Sequence, residues 1–272
     1  MVVESLWSPS ASGQPWYTKI VTQDVSPAAT ALSLPPLGRS TTRSDLVAVS
    51  IKTAILSGRL KPDEVLVERR IAELLGVSKT PVREALISLT SSGLLTSTRN
   101  RGIAVRRLAA EDVLRIYEMR VLLEPWAAAQ VAQAGTVDAV EARRALEEAR
   151  RFIEADDHVG LSLANREFHR RVYSTCENSL VVAKLDDLQD LTALAAVSLL
   201  WEQWPTWRPE MEEHYEILDA VRLHQPREAA HLLRRHIESS ISRLTEQMRE
   251  AKRAPREQGW AGQPPPVSAV ER

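Results

Sequence analysis

Cysteine is nearly absent from this sequence, since Cys176 is the single one among 272 residues. One thiol cannot build a disulfide framework or a multi-cysteine metal site, and it suits a reducing compartment, so a cytoplasmic protein is expected. No stretch approaches the run of about 20 apolar residues that a membrane-spanning helix needs. The zinc-protease pattern H-E-x-x-H is also missing, because His169 is followed by Arg170 and Arg171.

The two ends of the chain lack the periodic apolar residues of a folded core. Residues 1–38 are rich in Ser, Pro, Ala and Thr and have no basic start followed by an apolar segment, so we predict a disordered arm and no signal peptide. Residues 252–272, which contain three consecutive prolines, are predicted to form a disordered tail. The length of the remaining chain suits two domains.

Charge is unevenly distributed between these domains. Residues 39–107 contain 13 Lys/Arg and 6 Asp/Glu, whereas residues 108–272 contain 21 and 28. The formal net charge of −1 hides this difference. A basic segment attached to an acidic body indicates nucleic-acid binding by the basic part, because the acidic part does not compete for phosphates.

The stretch 68–84, ERRIAELLGVSKTPVRE, has the pattern of two short helices joined by a turn. The first has an apolar face with helical spacing, formed by Ile71, Leu74 and Leu75. Gly76 is suited to end it, and Thr80 and Pro81 are suited to cap and begin the second. Lys79 and Arg83 then lie at the N-terminal end or on the outer face of the second helix, as in a helix-turn-helix that enters a major groove. The alternative is an ordinary surface helix pair with solvated charges.

The flanking sequence favours the DNA-binding alternative. An amphipathic helix is predicted upstream from the spacing of Val47, Ile51, Ala54 and Ile55. Downstream, the apolar segments 94–97 and 103–106 enclose Thr98-Arg99-Asn100-Arg101-Gly102, the pattern of a basic β-hairpin or wing. A helix, a helix-turn-helix at about 68–87 and a wing, in this order, predict a winged-helix domain over residues 39–108.

Residues 109–251 are predicted to form an all-α antiparallel bundle. This region has no strand pattern, and helical periodicity appears in six segments with short connections. Their approximate bounds are 110–133, 137–155, 157–176, 179–202, 208–224 and 227–250. The predicted fold class is therefore mainly α, with an N-terminal winged helix-turn-helix, a small β-hairpin wing and a helical bundle.

Four polar residues on apolar helix faces are candidate metal ligands: Asn165, His169, His214 and His236. The first two are four residues apart and share one helical face. The other two each continue an apolar stripe on one of the last two helices. Three imidazoles with one oxygen suit Zn²⁺ and similar divalent ions. The alternative is that each histidine is a hydrogen-bonded core residue.

Arg120 stands in the middle of an apolar stripe on the first bundle helix, and a buried guanidinium needs a partner. One interpretation is an ion pair with Glu124 at i+4. The other is a bidentate contact with the carboxylate of a small-molecule effector. Core packing or a dimer surface is favoured over an aromatic ligand cage for Trp201, Trp204 and Trp207.

Residues 40–108 resemble the GntR family of bacterial transcription regulators, through ERRIAELLGVSKTPVREAL and the RNRG of the wing. The helical bundle behind them is similar to the FCD ligand-sensing domain of the FadR subfamily. The resemblance implies DNA contacts by Arg69, Ser78, Lys79, Thr80, Arg83, Arg101 and Gly102. We expect Arg83 to contact a guanine, Arg69 and Lys79 to bind phosphates, and Arg101 to enter a minor groove.

The resemblance also implies a metal site and an effector site in the bundle. Metal-binding FCD domains carry an acidic or amide residue four before a histidine, then two further histidines on the last two helices. Asn165, His169, His214 and His236 match this order, so Zn²⁺ is the expected cofactor. Asn165 replaces the common Asp, and a neutral amide binds a cation more weakly. Arg120 is expected to bind an organic acid beside the metal.

Together these patterns predict a transcription regulator controlled by a small organic acid. It is expected to be a homodimer on a pseudo-palindromic operator, because a two-fold dimer presents two recognition helices. Two other classes are considered. One is a metal-dependent hydrolase that uses the histidine cluster, and the other is an architectural DNA binder without a sensor.

Overall fold

The computed structural model describes residues 42–98, 102–200 and 207–253. The predicted arm at 1–38, most of the predicted tail, Arg101 of the wing, Trp201 and Trp204 lie outside these ranges. Residues 42–253 belong to one compact unit.

A winged helix forms the first part of this unit. It contains α1 (Arg43–Leu56), β1 (Val65–Leu66), α2 (Glu68–Leu75), α3 (Lys79–Ser91), β2 (Leu95–Thr98) and β3 (Gly102–Val105). A capping box fixes the start of α1, because Thr42 and Asp45 each accept a hydrogen bond from the backbone N–H of the other. The antiparallel sheet has the order β1-β3-β2. The sequence does not predict strand β1, because two residues are too few to show an alternation of buried and exposed side chains.

Two local predictions about the helix-turn-helix are wrong. Helix α3 begins at Lys79, with Ser78 in an extended conformation before it, so Thr80 is inside the helix and does not cap it. The apolar face of α2 is also misplaced, because Ala72 is buried whereas Leu74 is 74% exposed. The short α2 packs mainly against α3, and only the side that carries Ala72 faces the core. Gly76 does end α2, with φ of 63°.

Six helices form the bundle in the part of the chain that the structure describes, as predicted. They are α4 (Ala110–Ala134), α5 (Ala139–Glu154), α6 (His158–Tyr173), α7 (Ser179–Ala195), α8 (Trp207–Arg222) and α9 (Pro226–Arg253). A π-helical turn, Ala196–Leu200, extends α7 where a continuous α-helix is predicted. No strand occurs in the described part of the bundle, so the mainly α fold class is confirmed. No helix in these ranges is long and apolar enough to cross a membrane.

The bundle core positions a group of buried polar side chains. Helix α4 packs along α9 and beside α7, α5 packs along α6, and α8 packs on α9. Buried apolar residues of the winged helix and the bundle form one continuous cluster. Within the bundle, the buried charged and ring-nitrogen side chains are Arg120, Glu124, His169, Asp190, His214 and His236. Such groups are costly to bury unless they are paired, so their arrangement marks the candidate site.

Candidate functional site

Most of the predicted DNA-contacting residues belong to the helix-turn-helix, and Arg101 lies outside the described residues. Val82, Ala85 and Leu86 are buried, so α3 turns the opposite side outward. Five of the predicted DNA contacts in this region are exposed: Arg69, Ser78, Lys79, Thr80 and Arg83. The Ser78 side chain makes no capping hydrogen bond, so the first N–H groups of α3 are available for a phosphate. Gly102 is exposed at the start of β3, with φ of 78°.

Arg83 has a partner that sequence spacing does not reveal. Its Nε and Nη2 donate to the two carboxylate oxygens of Glu68, at 3.1 and 2.9 Å. The two residues are 15 positions apart and meet only because α2 and α3 cross. A bidentate contact of this kind fixes the direction of the guanidinium. Arg83 is therefore held in one orientation at the N-terminal part of the recognition helix.

Three of the four candidate metal ligands converge inside the bundle. His169 of α6, His214 of α8 and His236 of α9 are 1%, 2% and 4% exposed. Each offers one ring nitrogen, and these atoms lie within 4.8 Å of one another. The Nε2 atoms of His214 and His236 are 3.3 Å apart. Two ligands on a tetrahedral zinc ion with ordinary bond lengths are separated by about 3.3–3.4 Å. The cluster therefore has a spacing that suits a divalent ion.

Two carboxylates orient the rings of this cluster. Glu124 Oε1 accepts a hydrogen bond from His169 Nδ1, and Glu213 Oε2 accepts one from His236 Nδ1, both at 2.6 Å. Each contact leaves Nε2 as the lone-pair nitrogen of its ring, the arrangement found at many metal sites. Among the described residues, His169 Nε2 and His214 Nδ1 are buried without a hydrogen-bond partner. Buried ring nitrogens rarely stay unpaired, so a metal ion is a suitable partner for His169 Nε2.

The electrostatics keep the rings in the form that binds metals. Burial lowers the pKa of His169 to about 4, although Glu124 opposes the change. Burial, with His236 and His169 nearby, also lowers the pKa of His214 well below its usual value. Burial alone would raise the pKa of Glu124, but the Arg120 guanidinium and His169 more than offset it and lower that pKa. An ionised Glu124 beside a neutral His169 is therefore the stable state, and neutral imidazole is the ligand form.

These shifts predict that the metal-free protein loses stability as the pH falls from 7 to 5. Both folded pKa values lie below the ordinary value of 6.5, so the unfolded chain binds more protons in this window. His169 should then remove about 2 kcal/mol from the free energy of unfolding at pH 5, and His214 should lower it further in the same direction. Urea unfolding of chelated protein at both pH values measures the loss.

His169→Gln is the matched variant for this experiment, and it should retain only the part of the pH dependence that belongs to His214. Equal unfolding free energies of the wild type at pH 7 and pH 5 would contradict neutral burial of the two rings.

Arg120 forms the ion pair of the first interpretation, and it also borders a cavity. Its Nε donates to Glu124 Oε2 at 2.9 Å, which is the i+4 ion pair. Its Nη1 and Nη2 lie 3.5 Å from Thr192 Oγ1 and 3.4 Å from His169 Nδ1. The same guanidinium also lines a polar cavity inside the bundle. Arg120 can therefore keep Glu124 as its internal partner and still present part of its guanidinium to the cavity.

The cavity joins the metal candidates to further polar groups. Asn165 lines its wall together with His169 and His236, so the amide reaches the same space as two of the rings. Two further guanidinium groups, of Arg166 and Arg243, line it as well. Sequence reasoning missed both of these, and it also missed the roles of Glu124 and Glu213 as partners of the histidine rings.

The fold and the site together define a class of protein. A winged helix with an exposed recognition helix is a DNA-binding domain. The bundle attached to it contains a polar cavity that lies away from the DNA-facing surface. This combination is that of a DNA-binding regulator with a built-in ligand-sensing domain.

Comparisons with known proteins identify the family. A family model described as "Bacterial regulatory proteins, gntR family" matches residues 43–105, and one described as "FCD domain" matches residues 115–239. The Nta operon transcriptional regulator of Aminobacter aminovorans is 28% identical over 201 residues, which cover 72% of this chain and 91% of that protein. The probable D-xylose utilization operon transcriptional repressor of Paenarthrobacter nicotinovorans is 30% identical over 201 residues, covering 72% and 86%.

A solved structure agrees with these sequence relatives. The crystal structure of a GntR regulator from Rhodococcus sp. RHA1 has a TM-score of 0.64 and 26% identity, covering 75% of this chain and 98% of that one. The chain therefore belongs to the gntR family of bacterial regulatory proteins and carries an FCD domain. It is a transcriptional regulator, as the sequence analysis predicts.

Proposed function

We propose that the protein is a metal-containing, carboxylate-responsive regulator, in which an organic acid bound in the FCD domain changes operator affinity. One observation carries this proposal. The ring of His169, whose buried Nε2 has no hydrogen-bond partner, and the buried guanidinium of Arg120 line a single polar cavity. An apolar core gains nothing from such an arrangement, whereas a cation and an anion would satisfy all of these groups.

His169, His214 and His236 would hold the metal ion, with Asn165 as the fourth ligand. Glu124 and Glu213 keep two of the rings oriented by accepting from Nδ1. When bound, the ion supplies a Lewis-acidic position on which a carboxylate oxygen can bind. Arg120 would donate to the same carboxylate from the cavity wall. We favour Zn²⁺, since three imidazoles and one oxygen donor suit it.

The winged helix would read the operator with the residues on the exposed side of α3. Arg83 is our candidate for base recognition, and Arg69 and Lys79 are candidates for phosphate binding. Ser78, Thr80, Gly102 and the wing residue Arg101 complete the proposed DNA-binding set. Since its target is double-stranded DNA, we propose the cytoplasm as the compartment in which the protein acts.

We also propose a homodimer, because a two-fold dimer matches a pseudo-palindromic operator. Its support in the structure is an exposed apolar stripe on α4, where Met119, Leu122 and Trp126 are 42%, 68% and 45% exposed. Contiguous apolar surface of this kind usually marks a protein contact. A single exposed leucine without apolar neighbours does not mark a protein contact.

Leu122→Glu is expected to convert the dimer to a monomer, because it places a charge in the apolar stripe. The monomer should bind a full operator more weakly, since a second linked recognition helix raises the effective concentration. Sedimentation velocity measures the change in mass. Leu180→Glu is the matched control, because Leu180 is 81% exposed at the start of α7. If Leu122→Glu sediments as the wild type does, the α4 stripe is not the dimer surface.

The two other classes are less well supported. A metal-dependent hydrolase needs a general base beside the metal. The two carboxylates that contact the histidine rings, Glu124 and Glu213, are engaged by those rings. An architectural DNA binder has no use for a polar cavity in its helical domain. The regulator therefore accounts for more of the described residues.

The test is a thermal-shift screen of small carboxylic acids on zinc-loaded protein, followed by gel shifts on the operator. An acid present at 100 times its Kd should stabilise the folded protein by about 2.7 kcal/mol. Its uncharged amide should have no effect, because it cannot accept a charge-assisted pair from Arg120. The same acid should change operator affinity. If no acid raises the Tm, or if the amide raises it equally, the carboxylate proposal is wrong.

A further inference from the structure

Helix α7 contacts both the cavity and the winged helix. Gln189, Thr192 and Ala193 line the cavity from one side of the helix. Asp190, between them in sequence, extends toward α1, where Lys52 Nζ lies 2.6 Å from its Oδ2. This ion pair joins the DNA-binding domain to the bundle. A change at the cavity can therefore reach the winged helix through one side chain of α7.

Asp190 is shared between two cations. Its side chain is 1% exposed, and its Oδ1 accepts from Arg166 Nε at 2.5 Å. Arg166 belongs to α6 and lines the cavity wall, whereas Lys52 belongs to α1 of the winged helix. A carboxylate this deeply buried is strongly destabilised if its cations leave. The strength of either ion pair therefore depends on whether the other is present.

We propose that Asp190 is the positioning residue that couples the effector cavity to α1 of the DNA-binding domain. The inference rests on the proposed function, in which the cavity binds an anion. An anion that engages Arg166 from the cavity draws its guanidinium away from Asp190. Lys52 is then the cation that remains beside the buried carboxylate of Asp190. Separating α1 from α7 therefore costs more free energy, because it removes this remaining cation. The bound anion therefore holds α1 more firmly against the bundle.

The same two helices contain a matched ion pair that lacks this connection. One turn along, Arg170 Nε of α6 donates to Asp186 Oδ1 of α7 at 3.0 Å. Asp186 has a second partner in the hydroxyl of Tyr173, at 2.8 Å, which belongs to the bundle. Loss of Arg170 therefore removes an α6–α7 ion pair without changing the cations around Asp190.

Hydrogen–deuterium exchange of the full chain tests the coupling without DNA or an identified effector. Arg166→Met imitates the loss of Arg166 to an anion, and it should slow exchange of the α1 amides by about threefold or more. Lys52→Met removes the other cation and should speed exchange of the same amides by a similar factor. Arg170→Met should leave α1 exchange at the wild-type rate. If Arg166 only stabilised the contact between α6 and α7, Arg166→Met and Lys52→Met would not change α1 exchange in opposite directions.

Each result has a defined meaning. Unchanged or faster α1 exchange in Arg166→Met, or equal slowing in Arg170→Met, would overturn the coupling role. If Arg166→Met does not fold, Arg166→Gln replaces it, because the amide keeps a donor near Asp190 without the charge. In the Asp190→Asn background, the additional change Arg166→Gln should no longer alter α1 exchange. Metal content and carboxylate binding are measured on the same wild-type preparation, so failure of the proposed function is seen independently of α1 exchange.

Discussion

His214→Ala and His236→Ala are each expected to release the bound divalent ion and to lower the Tm of the protein. Each change removes one of the three imidazole ligands of the proposed metal site and leaves it with too few donors. The lost binding energy is also folding energy, because the ligands converge only in the folded bundle. For an ion present at 100 times its Kd, the loss corresponds to about 5–10 °C in Tm for a domain of this size. The winged helix should remain folded.

Elemental analysis of protein purified without a histidine tag measures the metal directly. His231→Ala is the control, because His231 is on α9, as His236 is, but its side chain is exposed. Asn165→Asp should bind the ion more tightly, since a carboxylate is a stronger ligand than an amide. A metal-free wild type that keeps its full Tm after chelation, with an equally empty Asn165→Asp variant, would show that the three histidines are a hydrogen-bonded core. The assignment to the gntR family would stand.

Arg83→Ala is expected to weaken binding to the operator by about 1–3 kcal/mol and to relax base preference. A guanidinium that is already held by Glu68 in one orientation loses little side-chain freedom when it meets a guanine edge. Lys79→Ala should instead weaken all sequences equally and flatten the salt dependence, because an ammonium on a phosphate carries no sequence information. Gel shifts on an operator selected from a random duplex library, and on a scrambled duplex, measure both effects.

Glu68→Gln separates positioning from charge in the same experiment. It removes a negative charge from the DNA-facing side, so binding to the scrambled duplex should become tighter. The preference for the operator over the scrambled duplex should decrease, because the Arg83 side chain loses its bidentate partner. Equal losses on the two duplexes for Arg83→Ala would exclude this residue as a base reader.

The mainly α fold could be predicted because its signals are local. Six periodic segments gave six bundle helices, and the apolar segments around the wing gave β2 and β3. The errors occurred where tertiary contacts decide. Leu74 has helical spacing with Ile71 but is exposed, because α2 packs against α3 on its other side. The helix start at Lys79 and the π-helical turn after Ala195 also differ from the prediction, because helical periodicity does not mark either feature.

The sequence by itself determined the winged helix, the helical bundle and the four inward-facing candidate ligands, because helical spacing shows which residues share a face. Only the tertiary structure decided which faces meet. It brought His169, His214 and His236 together from three helices, and it paired Glu124 with a ring 45 residues away in sequence. It also placed Asp190 between Lys52 and Arg166, which belong to different domains. Contacts between distant segments depend on how helices cross, and the periodicity of a single helix contains no information about that crossing.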